Sequence, residues 1–192
     1  MTKKYNIAIF ASGSGTNAEE ILKYFQHHPS IAVTLLLSNN AEAYALERAK
    51  KFNVPSKAFT RTEFRDASLL PEWLAKERVT HIVLAGFLWL VPVYLLKAFP
   101  NRIINIHPAL LPKHGGKGMY GMKVHERVRA LNDSETGITI HEVNEHYDEG
   151  KVLFQATCPV LASDTPEQIA RNVHQLEYKH YPPVIEKWIL QV

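Results

Sequence analysis

Cysteine is nearly absent from this chain, in which Cys158 is the only one among 192 residues. One thiol cannot form an intrachain disulfide, so nothing in the sequence indicates an oxidising compartment. No apolar run approaches the ~20 residues that a membrane-spanning helix needs. The short apolar run near the N-terminus leads into a glycine turn, which is not typical of a signal peptide. These absences predict a cytoplasmic protein with no membrane partner.

Blocks of like charge, repeats and linkers are missing as well. The 22 Lys and Arg residues are scattered among 19 Asp and Glu, for a formal net charge of +3. We therefore predict no nucleic-acid partner and expect small-molecule substrates, since a mildly positive cleft suits anions. Without a linker or a repeat, the chain is predicted to be a single domain over residues 1–192. The oligomeric state is left open as monomer or homodimer.

What the sequence does contain is an alternation of strand-like and helix-like segments. Apolar runs rich in β-branched residues predict strands at 5–11, 31–37, 81–86 and 102–106. Helical spacing between them predicts helices over 18–27, 41–52 and 63–77. Strands that alternate with helices form a parallel sheet covered on both faces, so we predict an α/β fold with a doubly wound, mostly parallel sheet.

The last third of the chain has a different pattern. Residues 136–143 alternate between polar and apolar, and residues 152–160 follow across a turn-like stretch, which predicts an antiparallel C-terminal strand pair. Thr165 then supplies an N-cap for a final helix. We expect Pro182 and Pro183 to break or kink that helix.

A glycine-rich segment, Ser-Gly-Ser-Gly-Thr-Asn at residues 12–17, joins the first strand to the first helix. Free backbone N–H groups and the helix dipole favour phosphate at such a junction. The segment lacks the lysine of a Walker loop and the third glycine of the dinucleotide fingerprint. The alternative is a tight turn in which Thr16 or Asn17 only caps the helix, and this segment alone does not decide between the two.

An apolar run at residues 84–92 begins as a buried strand and continues past its carboxyl end. Ligands bind at that edge of an open α/β sheet, so the run is a candidate slot for a flat aromatic ring. Ordinary core is the alternative, and composition favours it. Residues 114–122, which contain four glycines, form either a mobile lid or a loose surface loop.

Asn105 and His107 come at the end of the fourth strand, followed at once by Pro108. Residues two apart in a strand point to the same side, so an amide and an imidazole emerge together and can both hydrogen-bond one developing oxyanion. Asp148 lies in the connection between the two late strands. If it faces His107, its charge favours the protonated imidazole; otherwise it is an ordinary turn carboxylate.

Metal and covalent chemistry have little support. His141 with His146, or His107 with His114, lack an accompanying H-E-x-x-H or paired-cysteine motif, so we predict no metal. Cys158 lies among apolar neighbours in a predicted strand, and no G-x-S-x-G elbow occurs. The chemistry is therefore expected to be non-covalent.

With these motifs the sequence resembles the phosphoribosylglycinamide formyltransferases, folate-dependent enzymes of purine biosynthesis. The resemblance extends nearly end to end. It depends on Asn-Ile-His-Pro at 105–108 followed by Leu-Leu-Pro, on Asp-x-Gly at 148–150, and on the loop at 12–17. It implies a formyltransferase-like fold, 10-formyltetrahydrofolate as co-substrate and glycinamide ribonucleotide as formyl acceptor.

The resemblance also implies roles for individual residues. The catalytic residues would be Asn105, His107 and Asp148. The substrate phosphate and ribose would be bound by Gly15, Thr16, Asn17 and Glu177. Folate would be bound by Arg61, Leu88, Trp89, Leu90, Val91 and Asn105.

Departures from the family pattern occur at Ala109, where serine is common, and at His174, where a glutamine is usual near the substrate. Arg65 competes with Arg61 for the folate contact. Two alternative functions remain: a 10-formyltetrahydrofolate hydrolase, which normally carries an extra regulatory domain, and a non-catalytic phosphosugar-binding module, which would not need the three catalytic residues.

Overall fold

Seven strands form one sheet in the computed structural model, which describes residues 4–191. The strands are β1 Tyr5–Phe10, β2 Ile31–Ser38, β3 Ser56–Ala58, β4 His81–Leu84, β5 Ile103–His107, β6 Glu135–Glu142 and β7 Val152–Pro159. Their spatial order is β3-β2-β1-β4-β5-β6-β7. The first five in that order are parallel, whereas β6 pairs antiparallel with β5 and β7 antiparallel with β6. The predicted α/β fold with an antiparallel strand pair is confirmed.

Helices cover both faces of this sheet. Within the same residues they are α1 Thr16–Phe25, α2 Tyr44–Lys51, α3 Arg61–Arg65, α4 Leu69–Lys76, α5 Val93–Ala98, α6 Met122–Ala130 and α7 Pro166–Leu190. In β1, Ile7 and Ile9 enter the core beneath α1, α2, α6 and α7, whereas Ala8 and Phe10 enter the core beneath α3, α4 and α5. Because alternate side chains enter two cores, the strand reads as one continuous apolar run.

The last helix contradicts one expectation from the sequence. α7 runs unbroken through Pro182 and Pro183, so the predicted break is wrong. Each proline removes a backbone N–H donor. However, Tyr181 and Ile185 are fully buried beside them, and Tyr181 Oη donates a hydrogen bond of 2.8 Å to the Leu84 carbonyl. Burial and this bond offset the lost helical hydrogen bonds.

Other differences involve short elements. The strand β3 and the helices α5 and α6 have no counterpart among the predicted segments. The helix predicted over 63–77 is two helices, because Asp66 ends α3 and its carboxylate accepts hydrogen bonds from the backbone and hydroxyl of Ser68. A carboxylate that binds the local backbone in this way competes with helical hydrogen bonding.

Across residues 4–191, no helix combines the length and the apolar character needed to cross a membrane. The cytoplasmic location, the absence of a metal and the choice between monomer and homodimer stay predictions from the sequence.

Candidate active site

The carboxyl ends of β1 and β4 meet where the strand order changes direction, which is where open α/β sheets bind ligands. Two hydrogen bonds join the segments that follow these strands. Ser12 N donates to the Gly86 carbonyl at 3.1 Å, and Leu88 N donates to Ser12 Oγ at 3.0 Å. The glycine-rich loop of residues 12–17, called here the anion loop, and the apolar run after β4 therefore border one crevice.

The anion loop has no space for a side chain at Gly15. Its φ is +71°, a left-handed conformation that favours glycine, and an added Cβ would lie 2.6 Å from both Cα and Cβ of Ala45. Ala45 N in turn donates to the Gly13 carbonyl at 3.1 Å. Helix α1 begins at Thr16, so the unpaired N–H groups of its first turn start at this loop.

Glu177, on α7, approaches the anion loop from the other end of the sequence. It is buried, and its Oε2 accepts a hydrogen bond of 2.9 Å from Asn17 Nδ2. Burial raises the pKa of Glu177 to about 7, which the bond from Asn17 opposes only in part. The Oδ1 atom of Asn17 is buried without a partner in the part of the chain described. A lone acceptor here suits a ligand that carries a hydroxyl donor.

β5 ends with the amide and the imidazole that the sequence analysis selects, and both Asn105 and His107 line the cavity. His107 Nε2 lies 2.8 Å from the His114 carbonyl oxygen. Because a carbonyl can only accept, Nε2 carries a proton. The other ring nitrogen, Nδ1, lies 3.5 Å from Asp148 Oδ2. The structure therefore brings the three predicted catalytic residues together.

The charges of His107 and Asp148 depend on burial and on each other. Burial lowers the pKa of His107, while the Asp148 carboxylate and the bond to the His114 carbonyl oppose that change. The effect of Asp148 has the predicted direction, but burial is the larger effect. Burial would raise the pKa of Asp148, yet the bond from His141 and the charge of His107 keep it below its ordinary value. Asp148 is thus ionised at neutral pH.

His141 belongs to this cluster, although in the sequence it stands out only as a possible metal ligand. Its Nδ1 lies 2.8 Å from the Glu142 carbonyl oxygen, which fixes a proton on Nδ1. Its Nε2 lies 3.1 Å from Asn105 Nδ2 and 3.6 Å from Asp148 Oδ1. Nε2 therefore faces both the Asn105 amide and the Asp148 carboxylate. His141 and Asn105 are cross-strand partners, and the sequence pattern gives no such register between strands.

A cavity of about 650 Å³ joins these parts, a volume typical of small-ligand sites. The predicted site residues that line it are Gly15, Thr16, Asn17, Leu88, Trp89, Leu90, Val91, Asn105, His107, Asp148 and Glu177. One ligand-sized space thus borders the anion loop, the Asn–His–Asp cluster and the apolar run.

The apolar run is partly open to this cavity. Leu88 and Leu90 are exposed, at 44% and 39%, whereas Val91 is buried. The run is therefore not entirely core. The Arg61 guanidinium lies 5.1 Å from the centre of the Trp89 ring, outside the cavity lining but against a residue that belongs to it. Among the described residues, Arg65 makes no such contact.

The two departures from the family pattern have different surroundings. Ala109 is buried, and its carbonyl accepts a hydrogen bond of 2.7 Å from Thr139 Oγ1. His174 lines the cavity one turn of α7 before Glu177, and its ring packs edge-on against buried His125, with centroids 6.4 Å apart. Two imidazoles thus form the wall beside Glu177, and His125 is not among the site residues predicted from the sequence.

A sequence profile of the formyl transferase family matches residues 5–185. The chain belongs to this family. The phosphoribosylglycinamide formyltransferase of Haemophilus influenzae is 34% identical to this chain over 190 residues, which are 96% of the chain and 87% of that relative. The chloroplastic phosphoribosylglycinamide formyltransferase of Arabidopsis thaliana is 40% identical over 189 residues, 95% of the chain. The chain spans only 65% of the length of this plant relative, less than two thirds.

The fold of this chain also matches solved structures. The crystal structure of phosphoribosylglycinamide formyltransferase from Streptococcus pneumoniae TIGR4 has a TM-score of 0.84 and 35% sequence identity. The match covers 98% of this chain and 99% of that one. The overall fold is therefore shared with a solved structure of this family.

Proposed function

We propose that this chain transfers the formyl group of 10-formyltetrahydrofolate to the amine of glycinamide ribonucleotide, a step of de novo purine biosynthesis. Family membership implies a folate-type formyl donor, and the relatives described above are named phosphoribosylglycinamide formyltransferases. The observation that carries the proposal is a single cavity that borders an anion loop, an Asn–His–Asp cluster and an apolar slot.

In the proposed reaction, the amine nitrogen attacks the formyl carbon and gives a tetrahedral intermediate. The bond between that carbon and the folate nitrogen then breaks, and the proton lost by the amine passes to the departing nitrogen. Asn105 donates an amide hydrogen to the oxyanion, since its contact with His141 Nε2 engages at most one of the two. His107 supplies positive charge. One such oxyanion donor is worth ~3 kcal/mol of transition-state stabilisation.

Asp148 is proposed to stabilise the charged imidazole. His107 Nε2 already donates a hydrogen bond to the His114 carbonyl. The titrating proton therefore lies on Nδ1, which faces Asp148. An ionised carboxylate at this distance favours the protonated ring. Burial makes that help necessary, because it lowers the pKa of His107.

Two parts of the cavity are proposed to bind the two substrates. The backbone of Gly15, Thr16 and Asn17 takes the phosphate through free N–H groups, and Glu177 binds the ribose hydroxyls beside it. The slot formed by residues 88–91 holds the flat ring of folate. Arg61 borders this slot through its contact with Trp89.

A direct test mixes the protein with 10-formyltetrahydrofolate, with and without glycinamide ribonucleotide, and follows the folate absorbance. Turnover that requires the ribonucleotide is the expected result. Turnover without it would indicate the hydrolase instead. If calorimetry detects ribonucleotide binding but no turnover occurs with both ligands, the chain is a phosphosugar-binding module and the proposal is wrong.

A further inference from the structure

Residues 114–116, which we call the clamp, contact both members of the His107–Asp148 pair. The His114 carbonyl accepts a hydrogen bond from His107 Nε2 at 2.8 Å. Gly116 N donates to Asp148 Oδ2 at 2.9 Å. A segment of three residues therefore fixes the imidazole on one side and the carboxylate on the other.

The clamp is itself held from outside the cavity by Asp133, in the connection between α6 and β6. Asp133 Oδ2 lies 2.6 Å from His114 Nε2, and Asp133 Oδ1 lies 2.5 Å from Lys113 Nζ. The side chains of His114 and Asp133 are 5% and 10% exposed, so their contact is shielded from solvent. Charge-assisted hydrogen bonds of this kind are stronger than neutral ones.

The contact between His114 and Asp133, which we call the anchor, supports an unfavourable backbone conformation in the clamp. His114 has a φ of +59°, in the left-handed region that a residue with a side chain occupies at a cost. At Gly115, an added Cβ would lie 2.5 Å from Leu111 Cδ2. A strained conformation persists when surrounding contacts over-determine it, and the His114–Asp133 bond is the side-chain contact that does so.

The rest of the glycine-rich segment is different. At Gly118 and Gly121 an added Cβ would meet nothing within 4 Å, and Lys117 and Tyr120 are exposed. The segment that the sequence analysis treats as one lid or loop therefore has an anchored first part and an open second part. Only the anchored part contacts the catalytic pair.

We propose that Asp133 is a positioning residue for the reaction proposed above: by holding the His114 ring, it fixes the carbonyl that binds His107 Nε2. This inference rests on the proposed function for its kinetic part. Asp133 is not among the residues that line the cavity, so its effect on the site passes through the contacts with His114 and the neighbouring Lys113. With the anchor in place, the neutral His107 ring keeps its proton on Nε2, and Nδ1 alone titrates beside Asp148. Without the anchor, both neutral tautomers become accessible.

The test compares Asp133→Ala with Asp164→Ala, a matched control whose carboxylate accepts a hydrogen bond from Leu161 N in another connection. Imidazole nitrogen shifts, measured by NMR, report the tautomer of His107 without any substrate. We expect Nε2 protonation in the wild type and in the control, and a tautomer mixture in Asp133→Ala. An unchanged tautomer in Asp133→Ala would overturn the proposal.

The kinetic part uses the same proteins. A misplaced catalytic group costs rate more than ground-state binding, so kcat should fall about tenfold or more in Asp133→Ala while KM changes less than about twofold. A changed tautomer with unchanged kcat, or a loss confined to KM, contradicts the positioning role. If the wild type transfers no formyl group, the proposed function fails, whereas the tautomer still decides whether Asp133 orients the ring.

A second variant covers the case in which Asp133→Ala does not fold. His114→Asn keeps the carbonyl of the clamp and tolerates a left-handed backbone, but its side chain is too short to replace the ring. It should give the same tautomer mixture and the same fall in kcat. Wild-type behaviour in His114→Asn would show that the anchor is not needed.

Discussion

At one end of the cavity the site is made of backbone, and at the other it is made of side chains. Gly15 packs against Ala45 in a conformation that only glycine adopts easily, and the groups offered to a ligand there are N–H groups of the chain itself. At the other end, His107, His141 and Asp148 contact one another through their ring nitrogens and carboxylate oxygens. The backbone end should therefore be sensitive to added volume, and the side-chain end to the chemistry of single groups.

The largest expected effect lies at the side-chain end. His107→Ala and Asp148→Asn should each lower kcat about a hundredfold or more, because charge that develops in the transition state loses its partner. Asp148→Asn should also lower the pKa of His107, so its activity should fall most on the alkaline side, where the ring is neutral. NMR titration of His107 and pH–rate profiles measure both effects.

The double variant then tests whether these two residues act as one unit. Adding Asp148→Asn to His107→Ala should cost much less than the product of the single effects. An unchanged imidazole pKa together with fully multiplicative rate losses would leave Asp148 as an ordinary turn carboxylate.

Glu177 is a buried side chain beside the anion loop. Replacing it should change the free energy of unfolding. Its pKa rises from 4.5 in the unfolded chain to about 7, so folding favours its protonated form. The stability linked to Glu177 is present below pH 4.5 and is lost as pH rises to about 7, by roughly 3 kcal/mol. Glu177→Gln, which stays neutral, should gain stability relative to the wild type over that range.

Urea unfolding between pH 4.5 and 8 measures the difference. Glu186→Gln on the same helix is the control, because hydrogen bonds from Tyr24 and His28 lower the pKa of Glu186. This variant should therefore be less stable than the wild type by a nearly constant amount over that range, because the linked stability of Glu186 is complete above the unfolded pKa and is lost only at lower pH. Parallel curves for the two variants would contradict the assignment of a buried acid to Glu177.

The backbone end can be tested with one methyl group. Gly15→Ala should destabilise the protein by about 2 kcal/mol and weaken ribonucleotide binding, since the left-handed backbone and the contact with Ala45 both oppose a Cβ. Gly13→Ala is the matched control in the same loop, because an added Cβ there meets nothing within 4 Å. Urea unfolding and calorimetric titration check this, and equal losses in the two variants would refute it.

The smallest expected effect is at the rim of the apolar slot. Arg61→Ala removes the guanidinium from the Trp89 ring, a contact worth about 0.5–1 kcal/mol at an exposed site. Folate affinity should weaken a few-fold in a fluorescence titration. Arg65→Ala should leave it unchanged, and the reverse ranking would transfer the folate contact to Arg65.

Much of the fold follows from local pattern. Strands buried on both faces give continuous apolar runs, and the alternation after residue 135 predicts the antiparallel pair. The short elements were not predictable in this way, because the three residues of β3 and the six of α5 are too few for a period to appear. The continuity of α7 through its prolines depends on burial of Tyr181 against β4, a tertiary effect that propensity does not contain.

The site residues also divide into those that the local sequence pattern predicts and those that depend on tertiary contacts. The sequence motifs identify Asn105 and His107 because strand alternation places them on one side. His141 and Asp133 were not assigned to the site, since their contacts depend on the β5–β6 register and on the course of a glycine-rich loop. Asp148 lies between these cases: the family resemblance selects it, but only the folded chain gives its distance from His107.

The hydrogen bond between Asn17 and Glu177 joins residues that are 160 positions apart in the sequence. A ribosome that adds 5–20 residues per second needs roughly ten to thirty seconds to make that stretch. Throughout this time the nascent chain has its anion loop but not the acid that faces it. The parallel strands can pair earlier, so a nascent chain can be largely folded and still lack the complete part of the cavity that is proposed to bind the ribonucleotide. Ribonucleotide binding would therefore report the docking of the last helix more faithfully than the formation of the sheet.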